Sequence, residues 1–505
     1  MIDFLVLIGY LAITLGLGLW WGRGQRSMQT FLLGDRNMPW LALLASIVAT
    51  ETSSVTFLSI PGLSYAEGGA GFRFLQLTLG YILGRIVVTF VFLPLYMRGK
   101  LFTAYQVLDQ RFGGRTKQAA SLLFLVMRNL ADGLRLYLTA LILEQLLEVN
   151  LVWAILILAA VTTAYTLYGG LRSVVWNDCL QLAIYLLGAA AALGVILVKL
   201  SPASSGGLMA IGQGWEALYD FAKTTGKLQF FDLTFSLTRP YTLWSGLAGG
   251  VFVALATHGT DQLMVQRYLG ARSFRDAAKA LCWSGPVVAA QFGFFLWLGA
   301  ALAAFYSRYP AEPPIARPDA ALARFIIEEL PPGLSGLVVA AVIAAAMSTL
   351  SSSLNASASA AMSDFYLARR ARPSEAADPN RERQLLGLSR AFTGAFAACQ
   401  IAVALSGPSW ARAVVENVMA IATFTSGVIL GVFFLGVLTT RVSEKAALVG
   451  LLAGLGVNGA IVWGTTISWP WYAVIGSVVT FALGYAASFV PGISWPRRRK
   501  QADEK

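Results

Sequence analysis

Hydroxyl-bearing residues recur at helical spacing within one apolar stretch, from Ala341 to Tyr366. At 3.6 residues per turn, one face of this stretch carries only small or hydroxyl side chains, namely Ala345, Ser348, Thr349, Ser352, Ala356 and Ser359. Hydroxyl, carbonyl and carboxylate oxygens are the ligands of hard cations such as sodium. Small residues and hydroxyls also let membrane helices pack closely, so the pattern alone leaves both roles open.

Polar residues interrupt two further apolar runs. The segment ATETSSVT, from Ala49 to Thr56, places Glu51 among hydroxyl residues, and THGTDQ, from Thr257 to Gln262, interrupts another run. A carboxylate is costly in hydrocarbon, so such a segment indicates an unwound helix that lines a cavity or a kink that neighbouring helices fill. The ionisable groups in apolar surroundings could also perform acid–base chemistry, and they are Glu51, Asp178, Asp261 and His258.

The elements that hold these residues are predicted to be membrane-spanning helices. The chain has 505 residues, of which 57% are hydrophobic and 13% charged, and this excludes an ordinary soluble domain. About thirteen apolar runs approach the length needed to cross a bilayer. The formal charge of +12 comes mostly from loops between these runs, which indicates membrane orientation and not nucleic-acid binding. A single histidine and three cysteines argue against a multi-histidine metal site and a disulfide framework.

The basic residues predict an N-terminus outside and a C-terminus inside a plasma (inner) membrane. Arg23 follows the first run, Ile2 to Trp21, and no basic residue precedes it, so this run is interpreted as an uncleaved helix. Ser201 to Pro240 is predicted to be an external loop, and Arg369 to Arg390 an internal linker. A turn is expected at Gly169 and Gly170, between the fifth and sixth runs.

Three charged residues in the fourth run, Arg128, Asp132 and Arg135, are spaced four and three apart. This spacing places them on one helical face, where they are expected to pair with one another. A structural ion pair is favoured over a role in binding solute, because buried charges are usually neutralised locally.

The two polar breaks lie five predicted spans apart, which indicates two five-helix units of opposite orientation. Interrupted segments at corresponding positions of inverted halves point to the central site of a transporter. We expect a single transporter domain over 1–505, with an extra N-terminal helix (1–37), a first repeat (38–200), a second inverted repeat (241–440), two peripheral helices (441–490) and a basic cytoplasmic tail (491–505).

The chain resembles the sodium/solute symporter family, which includes sodium-coupled sugar, proline, vitamin and sialic acid transporters. The resemblance covers nearly the whole chain, and its most specific elements are FLSIPG, YGGLRSVVWNDCLQ, DQLMVQRYLGAR and AAAMSTLSSSLN. It implies an all-α polytopic membrane protein with LeuT-like inverted five-helix repeats and alternating access. The implied partners are sodium, a small-molecule solute and the lipid bilayer, without nucleic acid, and the implied transport unit is a monomer.

The resemblance also implies sodium ligands. A first sodium site would use the carbonyls of Ala49, Thr52 and Ala345 with the hydroxyls of Ser348 and Thr349. A second sodium site would combine Asp178 with Ser348, Ser351 and Ser352. The alternative for the second set is that Asp178 caps its helix or pairs with Arg172, and that the serines only pack.

The implied solute cavity lies beside the first sodium site. Its candidate residues are Glu51, Thr56, Gln76, Thr257, His258 and Asp261. Glu51 stands where sugar transporters have an amide and resembles an acidic residue of proline transporters, while Thr257 replaces a gating tyrosine; both differences disfavour a sugar. Three roles stay open for Glu51, namely attraction of a cationic amine, support of the cation site, or burial in the protonated form.

Sodium-coupled symport of a small polar organic solute is therefore the predicted function. Proton-coupled uptake through the same fold is one alternative. A membrane-embedded enzyme or sensor is another, but the sequence has no nucleophile–base motif or metal cluster to support an enzyme.

Overall fold

The computed structural model describes residues 1–99, 101–202, 207–369, 379–409 and 418–493, with only the backbone of 418–422. Its helices are α1 (Ile2–Trp21), α2 (Met28–Leu33), α3 (Trp40–Glu51), α4 (Ser54–Tyr65), α5 (Leu75–Val91), α6 (Leu93–Met97), α7 (Gln106–Arg111), α8 (Gly114–Leu147), α9 (Leu151–Leu200), α10 (Gly207–Thr224), α11 (Gly250–Gly259), α12 (Gln262–Leu269), α13 (Phe274–Arg308), α14 (Ala321–Glu328), α15 (Leu334–Ala360), α16 (Pro379–Leu405), α17 (Val418–Leu438), α18 (Glu444–Gly464) and α19 (Pro470–Ala487). The expected all-helical fold is confirmed.

Within the described residues, eight helices are long and apolar enough to cross a membrane: α1, α5, α9, α13, α15, α16, α18 and α19. The bent pair α3 and α4 would add a ninth. A multi-pass membrane protein is thereby confirmed, whereas the count of about thirteen spans and the orientation of the termini stay predictions. Most of the predicted tail and part of the predicted internal linker, 494–505 and 370–378, lie outside the described residues.

Helix α9 contains two of the predicted spans, and it is broken at Gly170. The backbone there has φ 54° and ψ −149°, outside the helical region. A Cβ at this position would lie 2.1 Å from the carbonyl oxygen of Phe31. Both the conformation and the space thus require glycine, where the sequence predicts a turn.

Both predicted polar breaks are present. Helices α3 and α4 meet at an angle of 67° across Thr52 and Ser53, and the Ser53 hydroxyl caps α4 by accepting from the Thr56 amide. Helices α11 and α12 are separated at Thr260, and Asp261 caps α12 by accepting from the amide of Leu263. Each break leaves backbone groups free of helical hydrogen bonds at the centre of the molecule.

Helix α15 lies at the centre of the fold, and carboxylates hold both of its ends. Asp3 of α1 accepts 2.7 Å hydrogen bonds from the amides of Gly333 and Gly336 at its start. Just past its end, Asp364 accepts 2.8 Å bonds from the hydroxyls of Thr103 and Ser121. This central position keeps the predicted cation-binding face of α15 away from lipid.

Helices α5 and α11 pack almost backbone to backbone. A Cβ at Gly80 would lie 2.2 Å from the carbonyl oxygen of Gly246, and one at Gly84 would lie 2.8 Å from that of Val251. Small residues at this contact allow the approach that membrane helix packing needs. The contact joins α5, the helix that follows the first broken pair, to the helix that leads into the second break.

The predicted orientation can be tested by cysteine labelling. Asp220→Cys on α10 and Gln384→Cys on α16 both lie at exposed positions. We expect a membrane-impermeant maleimide to label D220C from outside intact cells and to label Q384C only after permeabilisation. The native cysteines must first be replaced, because Cys399 is also exposed. The opposite labelling pattern would refute the predicted inverted arrangement.

Candidate functional site

The first break, between α3 and α4, faces α15. Oxygen atoms of the end of α3 and of α15 lie close together at this contact. The hydroxyl of Thr349 lies 3.4 Å from the carbonyl oxygens of both Thr50 and Ala345. Ala49 and Thr52, which flank the end of α3, are buried beside them. Carbonyl and hydroxyl oxygens without a carboxylate fit a monovalent hard cation, so the chemistry of this set agrees with the predicted first sodium site.

Ser348, next to Thr349 in the chain, has a carboxylate partner in this structure. Its hydroxyl donates a 2.7 Å hydrogen bond to Oδ1 of Asp178, which is completely buried. The Ser351 hydroxyl donates to the carbonyl of Ser348 at 3.2 Å. The structure therefore joins Ser348 to Asp178, whereas the hydrogen bond of Ser351 stays within its own helix.

A guanidinium also occupies this second cluster. Nη2 of Arg267, on α12, lies 3.2 Å from Oδ2 of Asp178 and 2.5 Å from the hydroxyls of Thr50 and Ser352. The suggested pairing of Asp178 with Arg172 is wrong, because the Arg172 guanidinium lies over the ring of Trp21, 5.8 Å from its centroid. Arg267 supplies the positive charge that the buried carboxylate requires.

A cavity of about 350 Å³ lies beside the first break. Five of the six predicted solute-binding residues line it: Glu51, Thr56, Thr257, His258 and Asp261. Thr349 lines it as well, so the cavity and the first cation set share a wall. Gln76 does not line it. The Gln76 amide donates to the carbonyls of Arg73 and Tyr241 at 3.1 Å, and its oxygen accepts from the Asp232 amide at 3.0 Å.

Glu51 is already neutralised within this cavity. Nη2 of Arg85 lies 2.7 and 2.6 Å from its two carboxylate oxygens, and Nε2 of His258 lies 2.7 Å from one of them. His258 in turn contacts the hydroxyl of Tyr268 through Nδ1 at 2.8 Å. These contacts balance the charge of the carboxylate within the protein, which disfavours the capture of a cationic amine.

The predicted pairing on α8 is confirmed, but it extends further than the spacing indicates. Asp132 lies 2.5 Å from Arg135 and 3.8 Å from Arg128. Arg128 also pairs with Asp261, at the second break. Both arginines line the cavity, so these side chains, for which the sequence analysis favoured a structural ion pair, also form part of the cavity wall.

The sequence analysis also missed Arg85 and an aromatic part of the cavity wall. Aromatic side chains on α5, on α13 and in the segments that precede α5, α11 and α19 form that wall, namely Phe74, Tyr81, Tyr241, Phe292 and Trp469. Arg85 stands out in the sequence as a charge inside an apolar run, and that signal could have identified it. The aromatic residues carry no such signal, because apolar rings are common in membrane helices.

The broken helices, the central hydroxyl-rich helix and the enclosed cavity define a membrane transporter with a LeuT-like fold. The sequence model of the "SSF: Sodium:solute symporter family" matches residues 31–454, and the chain belongs to this family. It is thus a sodium-coupled solute symporter, and sodium is its coupling ion.

Characterised relatives agree with this assignment. The chain is 30% identical over 462 residues to the sodium-dependent multivitamin transporter of Oryctolagus cuniculus, covering 90% of this chain and 69% of that protein. It is 27% identical over 481 residues to the human sodium/iodide cotransporter, covering 93% and 70%. The sodium/sialic acid symporter SiaT of Proteus mirabilis (strain HI4320) is 28% identical over 493 residues, covering 96% and 94%.

The structure is similar to that of a substrate-bound, outward-open Na⁺-coupled sialic acid symporter. The TM-score is 0.85 at 26% sequence identity, and the match covers 97% of this chain and 98% of that one. The match therefore covers nearly the whole chain.

The first sodium site can be tested at Thr349. We expect Thr349→Ala to raise the sodium concentration for half-maximal transport by roughly tenfold, since loss of one buried polar partner costs on the order of 1–3 kcal/mol. The matched control is Thr349→Ser, which keeps the hydroxyl and should stay near the wild-type value. Equal sodium dependence of both variants and the wild type would argue against a cation at this position.

Proposed function

We propose that this symporter couples one sodium ion to the uptake of a small organic anion. Sodium would bind at Ala49, Thr52, Ala345, Ser348 and Thr349, and the anion in the neighbouring cavity. The proposal rests most directly on the charges of the cavity, whose lining includes the three arginines Arg85, Arg128 and Arg135.

Charge balance supports an anion. Each cavity arginine has an acidic partner, so the pairs with Glu51, Asp132 and Asp261 leave no net charge. The first sodium site has no carboxylate of its own. Sodium would therefore bring an uncompensated positive charge into a low-dielectric interior, and a monoanionic solute would neutralise it. A guanidinium can also bind a carboxylate of the solute through two parallel hydrogen bonds.

The names of the relatives point the same way. They are transporters of iodide, of sialic acid and of monocarboxylates, and each of these solutes is an anion at neutral pH. The aromatic wall supports an organic anion, because ring surfaces favour an apolar body next to the charged group.

Coupling would arise because sodium and solute share the first break. The carbonyls of Ala49 and Thr52 would hold sodium, while Glu51, between them in the chain, lines the cavity. Sodium that fixes this unwound segment would also fix the cavity wall and so strengthen solute binding. Because binding linkage is reciprocal, the solute would strengthen sodium binding by the same factor.

The inverted repeats would supply the movement. The two breaks meet across the cavity, where His258 of α11 contacts Glu51 of α3. We propose that 38–200 and 241–440 are the repeats, and that rocking of one bundle against the other exposes the site to each side of a plasma membrane in turn.

At the Asp178 cluster, a side chain of the protein would provide the positive charge that a second sodium would otherwise provide. In this proposal the guanidinium of Arg267 stands where the second sodium would bind to Asp178, Ser351 and Ser352. A second sodium would have to displace a buried charge-assisted contact at 3.2 Å, and this favours a single coupled sodium.

Proton-coupled uptake is the second candidate, and the contact between His258 and Glu51 is the observation that favours it. A proton could move between these groups while the solute binds. Uptake that persists without sodium and follows an imposed proton gradient would support it over sodium coupling.

The charge of the solute can be tested with purified protein. In a thermal-shift screen we expect carboxylates to raise Tm in the presence of sodium, and their amides and alcohols not to, since only an anion balances the bound cation. At 100 times its Kd a ligand adds about 2.7 kcal/mol of stability. In proteoliposomes, an imposed membrane potential should leave uptake of the best carboxylate unchanged, because one sodium with one monoanion moves no net charge.

Two outcomes would contradict this proposal. Stabilisation by neutral solutes alone would exclude a required anion, and uptake driven by membrane potential would exclude one-to-one coupling. Arg135→Gln and Arg135→Lys provide the matched pair. The first should raise KM at least tenfold, while the second keeps the charge and should retain more of the affinity.

The role of Glu51 can be tested by Glu51→Gln. We expect at least a tenfold loss of transport with normal expression, because the change leaves the buried Arg85 without its closest charge partner. Breaking a buried ion pair costs on the order of 3–5 kcal/mol. Glu67→Gln, at an exposed position of the same region, is the control. Unchanged kinetics in E51Q would reduce Glu51 to a packing residue.

A further inference from the structure

A second cavity, of about 250 Å³, lies at the C-terminal end of α1. Its wall comes from α1, α2, the loop before α3 and the part of α9 just after the Gly170 break. We call it the α1–α9 pocket, and its principal lining residues are Trp21, Arg23, Gln25, Thr30, Arg172 and Trp176. It shares no residue with the solute cavity, so the transport mechanism does not account for it.

The α1–α9 pocket is basic. Arg23 and Arg172 are exposed, and neither forms an ion pair within the described part of the chain. Asp35 is the one acidic residue among the lining residues, so two arginines and one aspartate leave a formal charge of +1. The neighbouring Arg36 donates instead to the carbonyl of Leu101, at 2.6 Å. The pocket thus offers two guanidinium groups to an anion from outside the chain.

Tryptophans place the α1–α9 pocket at the edge of the membrane. Trp21 stacks on Trp176 with ring centroids 4.7 Å apart and an angle of 12° between the planes. Trp20, beside them, is 54% exposed. Tryptophan is enriched where hydrocarbon meets the polar headgroups of a bilayer. Because exposed apolar side chains continue along α1 from this end, including Leu19 and Ile13, acyl chains could lie against the helix.

One polar atom in the pocket wall lacks a partner. The side-chain nitrogen of Gln25 donates to the carbonyl of Gly169 at 3.0 Å, and this bond fixes the orientation of the amide. The side-chain oxygen of Gln25 is buried without a hydrogen-bond partner in the described structure. A buried acceptor of this kind requires a donor, and an alcohol group would provide one.

We propose that the α1–α9 pocket binds the headgroup of an anionic phospholipid. The phosphodiester binds between Arg23 and Arg172, the headgroup hydroxyls donate to Gln25 and Asp35, and the acyl chains lie along α1. A phosphoglycerol headgroup meets these requirements, since it combines one negative charge with two hydroxyl donors. Basic pockets between membrane helices are known binding sites for such headgroups.

The test is lipid binding by the full-length protein, which requires no transport. We expect native mass spectrometry and thermal shift in detergent to show retained phosphatidylglycerol and a higher Tm, with little effect of phosphatidylcholine. The double variant Arg23→Gln/Arg172→Gln should bind phosphatidylglycerol at least tenfold more weakly. Arg26→Gln, an exposed arginine of the same turn outside the pocket, should bind as the wild type does.

Three results would overturn the proposal: equal binding of phosphatidylglycerol and phosphatidylcholine, unchanged binding by the double variant, or a Tm rise with glycerol phosphate equal to that with the lipid. The last would assign the pocket to a soluble phosphate compound. Arg23→Lys/Arg172→Lys keeps both charges and should restore most of the binding, which separates loss of the site from loss of the fold. Because the assay involves neither sodium nor solute, its failure would leave the proposed transport function untouched.

Discussion

Glu51 and Arg85 are opposite charges held 2.6 Å apart inside an apolar bundle, and neither could remain there alone. The same constraint recurs between Asp178 and Arg267 and between Asp261 and Arg128. Each pair joins a broken helix to another helix. These ion pairs therefore tie the broken helices to their neighbours, and two of them, Glu51 with Arg85 and Asp261 with Arg128, line the cavity.

This arrangement links ion and solute through a very short piece of chain. The residues that follow one another at the end of α3 alternate between the cation set, the solute cavity and the Asp178 cluster. Thr50 illustrates this, since its carbonyl lies 3.4 Å from Thr349 while its hydroxyl contacts Arg267. In the proposed function, a shift of this segment would change all three environments at once, and this would couple ion and solute without a long pathway.

The network of buried pairs also bears on the acid–base chemistry that the sequence left open. A general base needs a proton that it can take from a substrate. Glu51 is bound by Arg85 and His258, and Asp178 by Arg267 and two hydroxyls, so neither carboxylate is poised for such chemistry. The family and structural relatives are transporters, which independently points away from catalysis.

Sequence alone determined the class of the molecule. The features that define the class are local: long apolar runs, two polar breaks and one hydroxyl-rich helix. They can be recognised locally because each residue within hydrocarbon must either be apolar or have its polar groups satisfied inside the protein. The helical fold, both breaks, the turn at Gly170 and the family could be predicted for that reason. Pairing within α8 could be predicted as well, since its partners are three and four residues apart.

Only the tertiary structure decided which charges meet. Glu51 and Arg85 are far apart in sequence, as are Asp178 and Arg267, and no spacing rule connects them. The consequences for individual residues are large. Glu51 is paired and not a free carboxylate, Gln76 supports the loop that contains Asp232, and the arginines of α8 line the cavity. A charged residue within an apolar run indicates that a partner is needed, but the identity of that partner depends on how the helices pack.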